Sequence, residues 1–176
     1  NVYNPFTQLE TSHPNNTDER LLANGYLEIK PWEWLTFKSS ISMNRYSWQN
    51  RSYREKYHFS DYDTNVKNSV SAAMGRSTEM FYENTLTFAK KFAGKHDISF
   101  MVGQTTEEYN YYSLSGGGST LLVTDPNRWY VSNTTEDKNS SDAVARTRRL
   151  SFLGRFFYSY DNRYLVTANF RADGSS

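Results

Sequence analysis

The sequence predicts an all-β protein: about six antiparallel strands forming a segment of a larger transmembrane β-barrel. Apolar and polar residues alternate with a period of two through much of the 176-residue chain. No segment shows the 3.6-residue period of an amphipathic helix. The connections between the predicted strands alternate between short and long, which is typical of outer-membrane barrels.

The first two strands follow one another through a tight turn. The first is predicted from about Arg20 to Lys30 and the second from Trp34, with Pro31-Trp32-Glu33 between them. One face of each strand is apolar, formed by Leu21, Ala23, Gly25, Leu27 and Ile29 in the first and Leu35, Phe37, Ile41 and Met43 in the second. The other face of the second strand is a hydrophilic stripe that suits a water-filled lumen, formed by Thr36, Lys38, Ser40, Ser42 and Asn44.

The third and fourth strands repeat this arrangement. The third is predicted from about Thr78 to Lys91 and the fourth from Asp97 towards Tyr112, with Ala93-Gly94-Lys95 as the turn. Their apolar faces carry Met80, Tyr82, Leu86 and Phe88 in the third strand and Ile98, Phe100 and Val102 in the fourth.

The last two strands form a hairpin around the polar turn Asp161-Asn162-Arg163. One face carries Phe152, Gly154, Phe156, Tyr158, Tyr160, Tyr164, Val166, Ala168 and Phe170. The other carries Ser151, Arg155, Ser159, Thr167, Asn169 and Arg171, with Leu153, Phe157 and Leu165 as apolar exceptions. A hairpin with one apolar face needs either a protein core or a membrane against that face.

The connections strengthen the membrane interpretation. The two long ones, roughly residues 51–75 and 113–145, follow the second and fourth strands, so both are expected at the same end of the sheet. A soluble sandwich has no physical reason for this arrangement, whereas outer-membrane barrels have short periplasmic turns and long extracellular loops. Aromatic residues near the short turns are expected to form an interfacial girdle: Trp32, Trp34, Tyr158, Tyr160 and Tyr164.

Composition excludes several classes of protein. No apolar run approaches the roughly 20 residues of a transmembrane helix. The absence of cysteine excludes disulfide frameworks and thiolate metal sites. A net charge of +1 gives no global electrostatic case for nucleic-acid binding.

Six strands are too few to close a transmembrane barrel, for which eight is the practical minimum. Open strand edges in hydrocarbon would leave backbone groups unpaired. We therefore expect the chain to be an excerpt whose remaining strands lie elsewhere. The residues alone leave two alternatives open, a passive outer-membrane porin and a soluble all-β carbohydrate-binding domain.

The C-terminal hairpin carries a specific resemblance. Its strand ending Tyr158-Ser159-Tyr160, its polar turn and its ending Arg171-Ala172-Asp173-Gly174-Ser175-Ser176 closely resemble a signature segment of SusC/RagA-type TonB-dependent transporters. Shorter matches occur upstream in the correct order, at Asn4-Pro5 with Leu9-Glu10, at residues 24–31 and at residues 83–88. The long connections are unmatched. Phe157 departs from the family, which more often has a polar, inward-facing residue there.

The resemblance implies an outer-membrane barrel of 22 strands with an N-terminal plug, found in Bacteroidetes. Residues 1–176 would then be part of a single barrel domain, with the plug, TonB box and signal sequence outside this segment. The family imports oligosaccharides or peptides without enzymatic chemistry or a cofactor. The partners implied are a SusD-like lipoprotein, the TonB complex, outer-membrane lipid or lipopolysaccharide, and the oligosaccharide or peptide cargo, but no nucleic acid.

The sequence offers no catalytic constellation, and the best binding candidates are aromatic. Tyr46 and Trp48 lie on the inward parity of the second strand, and Trp129 and Tyr130 lie in the second long connection. Sugars stack on flat rings, and a peptide would also use such surfaces. We therefore predict that at least one of the four contacts cargo, although such rings also commonly pack loops together.

Other polar motifs are weaker. His58, with Asp61 and Asp63, lies in a long connection where polar residues are the default, so a metal site is not predicted. Residues 115–119, Ser-Gly-Gly-Gly-Ser, lack the lysine and helix of a phosphate loop and are predicted to be a flexible loop. Arg146, Arg148 and Arg149 form a local basic patch, interpreted as a solvated strand end or a lipopolysaccharide contact.

Overall fold

A computed structural model describes residues 9–123 and 125–176. Asn4-Pro5, part of the family resemblance, lies outside the described residues. The strands are β1 (Ser12–Trp32), β2 (Leu35–Arg54), β3 (Tyr57–Ser60), β4 (Asp63–Asn65), β5 (Ser69–Phe92), β6 (His96–Leu121), β7 (Thr134–Tyr160) and β8 (Tyr164–Ser175). Two short 3-10 turns, Pro126–Arg128 and Val131–Asn133, lie between β6 and β7.

Six long strands form one antiparallel sheet in the order β1-β2-β5-β6-β7-β8, which confirms the predicted fold class. Neighbours in the sheet are neighbours in sequence, apart from a small antiparallel hairpin, β3 and β4, between β2 and β5. No helix among the described residues is long and apolar enough to cross a membrane.

The long strands extend further than predicted, so the long connections are shorter. β6 continues through residues 115–119, and the prediction of a flexible loop there was wrong. Gly117 and Gly118 are buried, and a Cβ on Gly117 would lie only 3.2 Å from the Val70 carbonyl oxygen. The glycines therefore allow close packing against neighbouring backbone instead of providing flexibility.

The chain divides into two compact units. The first comprises the described residues up to Arg20, with Tyr46–Ser77 and Tyr111–Val144. The second comprises Leu21–Arg45, Thr78–Asn110 and Ala145–Ser176. Both long connections belong to the first unit and all three short turns to the second, as the alternation of connections predicted.

The turn between β7 and β8 is explained by its sequence. Asp161 and Asn162 both have positive φ, at 50° and 54°, and Arg163 N–H donates to the Tyr160 carbonyl at 2.9 Å. Two consecutive positive φ values are the requirement of a type I′ hairpin turn, whose twist matches that of the strands. Asp and Asn tolerate this conformation better than most other residues.

The two units differ in what they bury. The first has a small apolar core of Tyr53, Val70 and Leu121, against which Trp129 and Val131 pack. In the second, the fully buried described residues are small and polar: Thr105, Ser151 and Ser159. The apolar side chains of the second unit are instead largely exposed, which is the reverse of a water-soluble domain.

Candidate functional site

The β7–β8 register separates two chemically different faces. Phe156 pairs with Ala168 and Tyr158 with Val166, whereas Arg155 pairs with Asn169. Successive side chains point to opposite sides of a strand, so the even-numbered apolar residues share one face and Arg155 lies on the other. The hairpin is therefore two-faced, as its sequence predicted.

Most of the apolar face is exposed, and Gly154 and Tyr158 on it are half-buried. Phe152 is 52% exposed, Val166 54% and Phe170 68%. Together with Phe100, Val102 and Phe156, they border an open groove of about 460 Å³ with Gly154 and Ala168 at its base. A continuous apolar surface of this kind marks a contact with a partner or a membrane.

The polar face is cross-linked by charged hydrogen bonds. Arg155 Nε donates to Asn169 Oδ1 at 3.0 Å, and Arg171 Nε donates to Asp173 Oδ1 at 2.8 Å. Arg149 on the same face pairs with Glu107 at 3.1 Å. Alternating charges that bond to one another are compatible with a hydrated surface, because exposed ion pairs carry little desolvation cost.

Aromatic rings gather beside the short turns of the second unit. Trp32 stacks on Trp34 with centroids 5.2 Å apart, and Tyr160 stacks on Tyr164 at 6.4 Å. The Tyr158 hydroxyl lies 2.7 Å from His96 Nδ1. Rings with a polar atom at one edge suit the boundary between an apolar layer and water, as expected for an interfacial girdle.

A separate cavity of about 360 Å³ lies in the first unit. Trp129 and Tyr130 line it together with His13, Arg51 and Tyr53 from β1 and β2. Its remaining lining residues are Pro14, Asn15, Pro126 and Asn127.

The cavity wall is a stack of rings. The centroid of the Trp129 ring lies 4.0 Å from the Tyr53 ring centroid and 5.1 Å from the His13 ring centroid. The Arg51 guanidinium carbon lies 5.2 Å from the centroid of the Tyr130 ring. His13 is held by Glu55 Oε1 at 3.1 Å. The cavity thus combines flat apolar surfaces with a cation, an arrangement that can bind sugar rings or peptide groups.

Tyr46 and Trp48 lie elsewhere in the first unit. The Tyr46 hydroxyl donates to Asp18 Oδ1 at 2.8 Å. The Trp48 ring covers Gly75, and a Cβ added to Gly75 would lie 2.6 Å from that ring. Tyr46 and Tyr53 differ in strand parity, as do their β1 partners Asp18 and His13, so the two pairs of candidates lie on opposite faces. The structure therefore brings Trp129 and Tyr130 together but separates them from Tyr46 and Trp48.

An ion cluster holds the start of β7 in the first unit. Lys67 Nζ lies 2.7 Å from Glu136 Oε2 and 3.0 Å from Asp137 Oδ2, and the Ser119 hydroxyl also donates to Asp137. The pKa of Lys67 is raised, mainly by Glu136. The pKa of Glu136 is lowered by Lys67, and that of Asp137 by Ser119 and then Lys67. At neutral pH all three groups are charged, so they favour this arrangement.

Metal ligation finds no geometric support in the described part of the chain. Across residues 9–123 and 125–176, no group of three or more His, Asp and Glu side chains could hold a metal ion. His58, considered above with Asp61 and Asp63, has its Nδ1 3.2 Å from Thr64 Oγ1.

Known proteins with a similar sequence or fold indicate which surroundings these surfaces meet. No family model matches the chain. A TonB-dependent receptor of Formosa agariphila is 27% identical over 179 aligned residues, which cover 98% of this chain and 16% of the receptor.

Solved structures of a RagAB peptide transporter share the fold. One has a TM-score of 0.87 at 20% identity, covering 97% of this chain and 19% of that one. The open-open and closed-closed states of the RagAB peptide importer give TM-scores of 0.86 and 0.85, so the segment has a similar fold to both. The comparisons therefore support the SusC/RagA-type resemblance: the chain is similar to a segment of a TonB-dependent receptor and has the fold of part of a RagAB transporter.

TonB-dependent receptors and RagAB are outer-membrane proteins, and their similarity to this chain places it in the outer membrane. An outer-membrane location accounts for the exposed apolar face, since hydrocarbon would cover Phe152, Val166 and Phe170. In a barrel of this kind, the opposite face, with Arg155 and Arg171, would line the aqueous lumen. Phe157, the departure from the family pattern, pairs with Thr167 on this polar face.

Part of the cavity was beyond sequence reasoning. Trp129 and Tyr130 were singled out for their ring chemistry, but His13, Arg51 and Tyr53 were not. His13 and Tyr53 are 40 residues apart and meet only through the β1–β2 pairing, as the backbone bond from Glu55 N–H to the Thr11 carbonyl shows. The signal that could have linked them is that His13 and Tyr53 lie on the same face of two paired strands. No single sequence motif contains this information.

Proposed function

We propose that the complete protein imports a nutrient across the outer membrane by TonB-dependent transport, acting with a SusD-like surface lipoprotein. The main observation that supports this proposal is the similarity of 98% of this chain to a TonB-dependent receptor. The chain spans 16% of that relative, so the transport activity concerns the whole protein. The cargo we propose is an oligosaccharide or a peptide, taken up by binding and translocation without chemical conversion.

The domain assignment follows from the same proposal. Residues 1–176 would supply six strands to a single barrel domain, while the plug and the TonB box would lie in other parts of the protein. β1 and β8 are the edges of the six-stranded sheet, so each needs a further strand to satisfy its backbone groups in lipid.

Energy coupling separates this proposal from a passive porin. We expect uptake by cells carrying the full-length protein to fall to background when the TonB complex is deleted. Surface abundance of the protein is measured in parallel as the control. Uptake that persists unchanged without TonB would instead establish a porin, and recovery of the full-length protein in the soluble fraction would support a carbohydrate-binding domain.

We propose that at least one of the four rings of Tyr46, Trp48, Trp129 and Tyr130 contacts cargo; because the first two and the last two lie on opposite faces, the variants also show which face the cargo meets. A stacked ring contributes about 1 kcal/mol, so single alanine variants should weaken cargo binding roughly fivefold where the ring touches cargo. Binding is measured by calorimetry on the full-length transporter with panels of oligosaccharides and peptides.

Two variants separate contact from folding. Tyr62→Ala removes a 93% exposed ring outside the cavity and should leave affinity unchanged. Trp129→Phe retains a ring against Tyr53 and should preserve part of the affinity. If all four rings are replaced by alanine in a folded transporter and affinity is unchanged, the assignment of cargo contacts is wrong.

A further inference from the structure

The apolar face of β7 ends abruptly. Its even-numbered residues run from Tyr160 at the short turn to Leu150, and Leu150 and Phe152 are 40% and 52% exposed. The next two residues of the same parity are Arg148 and Arg146. The hydrocarbon-facing surface of β7 therefore changes from apolar at Leu150 to cationic at Arg148, the next side chain on the same face.

The position of this change matches the thickness of the membrane. Ten residue steps separate Tyr160 from Leu150. At about 3.3 Å each, along a strand tilted by roughly 40°, these steps rise about 25 Å, which is the height of the apolar band of an outer-membrane barrel. Since the short turns mark the periplasmic side, Arg148 is the first side chain of this face at the level of the outer-leaflet headgroups.

The two arginines carry more positive charge than their neighbour cancels. Arg148 Nε pairs with Glu108 Oε1 at 3.1 Å, yet the Arg148 side chain is 72% exposed. One of the five N–H donors of its guanidinium is used in that contact. Two guanidiniums against one carboxylate leave the group of Arg146, Arg148 and Glu108 with one net positive charge.

The neighbouring strand β8 leaves room beside Arg148. Leu150 pairs with Gly174, and Arg148 exchanges backbone hydrogen bonds with Ser176 at 3.1 and 3.3 Å. Phe152 pairs with Ala172. The residues of β8 opposite Arg148, Leu150 and Phe152 are therefore small, and a Cβ on Gly174 would come no closer than 3.8 Å to the Leu150 carbonyl oxygen.

We propose that Arg146 and Arg148 bind a phosphate of the outer-leaflet glycolipid, lipopolysaccharide. The planar guanidinium matches phosphate oxygens in a bidentate manner and remains charged at every physiological pH. The acyl chains of the same lipid would lie against Leu150 and Phe152 directly below. The inference uses the outer-membrane location and does not depend on transport activity, so a receptor that failed the TonB test could still pass this one.

The test uses the full-length receptor in detergent, titrated with diphosphorylated lipid A, with enzymatically dephosphorylated lipid A, and with inorganic phosphate alone. Bound lipid is counted by native mass spectrometry. We expect the wild type to bind diphosphorylated lipid A at least tenfold more tightly than the dephosphorylated form and to bind inorganic phosphate only weakly.

The double variant Arg146→Gln with Arg148→Gln should lose this preference. The matched control is Arg149→Gln, because Arg149 pairs with Glu107 on the opposite face and should not affect lipid binding. Equal binding of both lipids by the wild type would overturn the proposal whether or not the double variant folds. Equal retention of lipid by the double variant, or binding of inorganic phosphate as tight as of lipid A, would also overturn it.

Discussion

Replacement of Phe156 by arginine should destabilise the membrane-inserted receptor by about 2–4 kcal/mol, the cost of a guanidinium near the bilayer midplane on a barrel's lipid face. Phe156 lies between Leu150 and Tyr160, close to the middle of the apolar band, and is 38% exposed with only Ala168 opposite it. A charge at this position would have to be desolvated by hydrocarbon or would draw water and headgroups inward.

The matched control is Thr167→Arg. Thr167 neighbours Ala168, the partner of Phe156, so it lies at nearly the same depth, but it pairs with Phe157 on the lumen face. Arginine there would remain in water and should change stability by less than about 1 kcal/mol. Stability is measured as the urea midpoint for loss of the heat-modifiable band of the full-length protein in lipid vesicles. Equal destabilisation by both variants would show that Phe156 does not face lipid.

The sequence predicted the strands best where the two faces meet different surroundings. In β8 and the second half of β7, apolar and polar residues alternate, as expected of strands with lipid on one side and water on the other, and the predicted hairpin matches the observed register. The first half of β7, residues 134–145, is polar on both sides, so no alternation marks it as a strand. Its extended form depends on pairing with neighbouring strands, which a local pattern does not reveal.

The sequence indicated which aromatic residues belong to the candidate site but not how their rings pack together. Ring chemistry indicated Trp129, but its stacking on Tyr53 depends on the path of the connection between β6 and β7. That path includes two 3-10 turns, the first capped by Asp125, whose Oδ1 accepts from Asn127 N–H at 2.9 Å. Asp-Pro-Asn is typical of a turn, but the sequence does not indicate which strand the connection folds against.

Replacement of Gly118 by alanine should destabilise the barrel by about 1–3 kcal/mol, the usual cost of overpacking a filled site. A Cβ at Gly118 would lie 2.7 Å from Thr134 Cβ, would clash with Thr134 Oγ1, and would lie 3.2 Å from the Glu136 carbonyl oxygen. Thr134 is 1% exposed, and its hydroxyl donates to the Val131 carbonyl at 2.7 Å, so it has little freedom to move away. The strain would loosen the end of β6 and the packing of Val131 against the small apolar core.

Gly174→Ala separates this packing effect from backbone entropy. Both glycines lie in strands without positive φ, so alanine reduces the freedom of the unfolded chain similarly at each, by about 0.5–1 kcal/mol. At Gly174 the nearest atom would be 3.8 Å away, an ordinary contact, so this variant should be neutral or slightly stabilised. The urea midpoint of the full-length receptor should therefore fall for Gly118→Ala only. A midpoint unchanged in both would mean that Thr134 yields to the new methyl group and that β6 is not closely packed there.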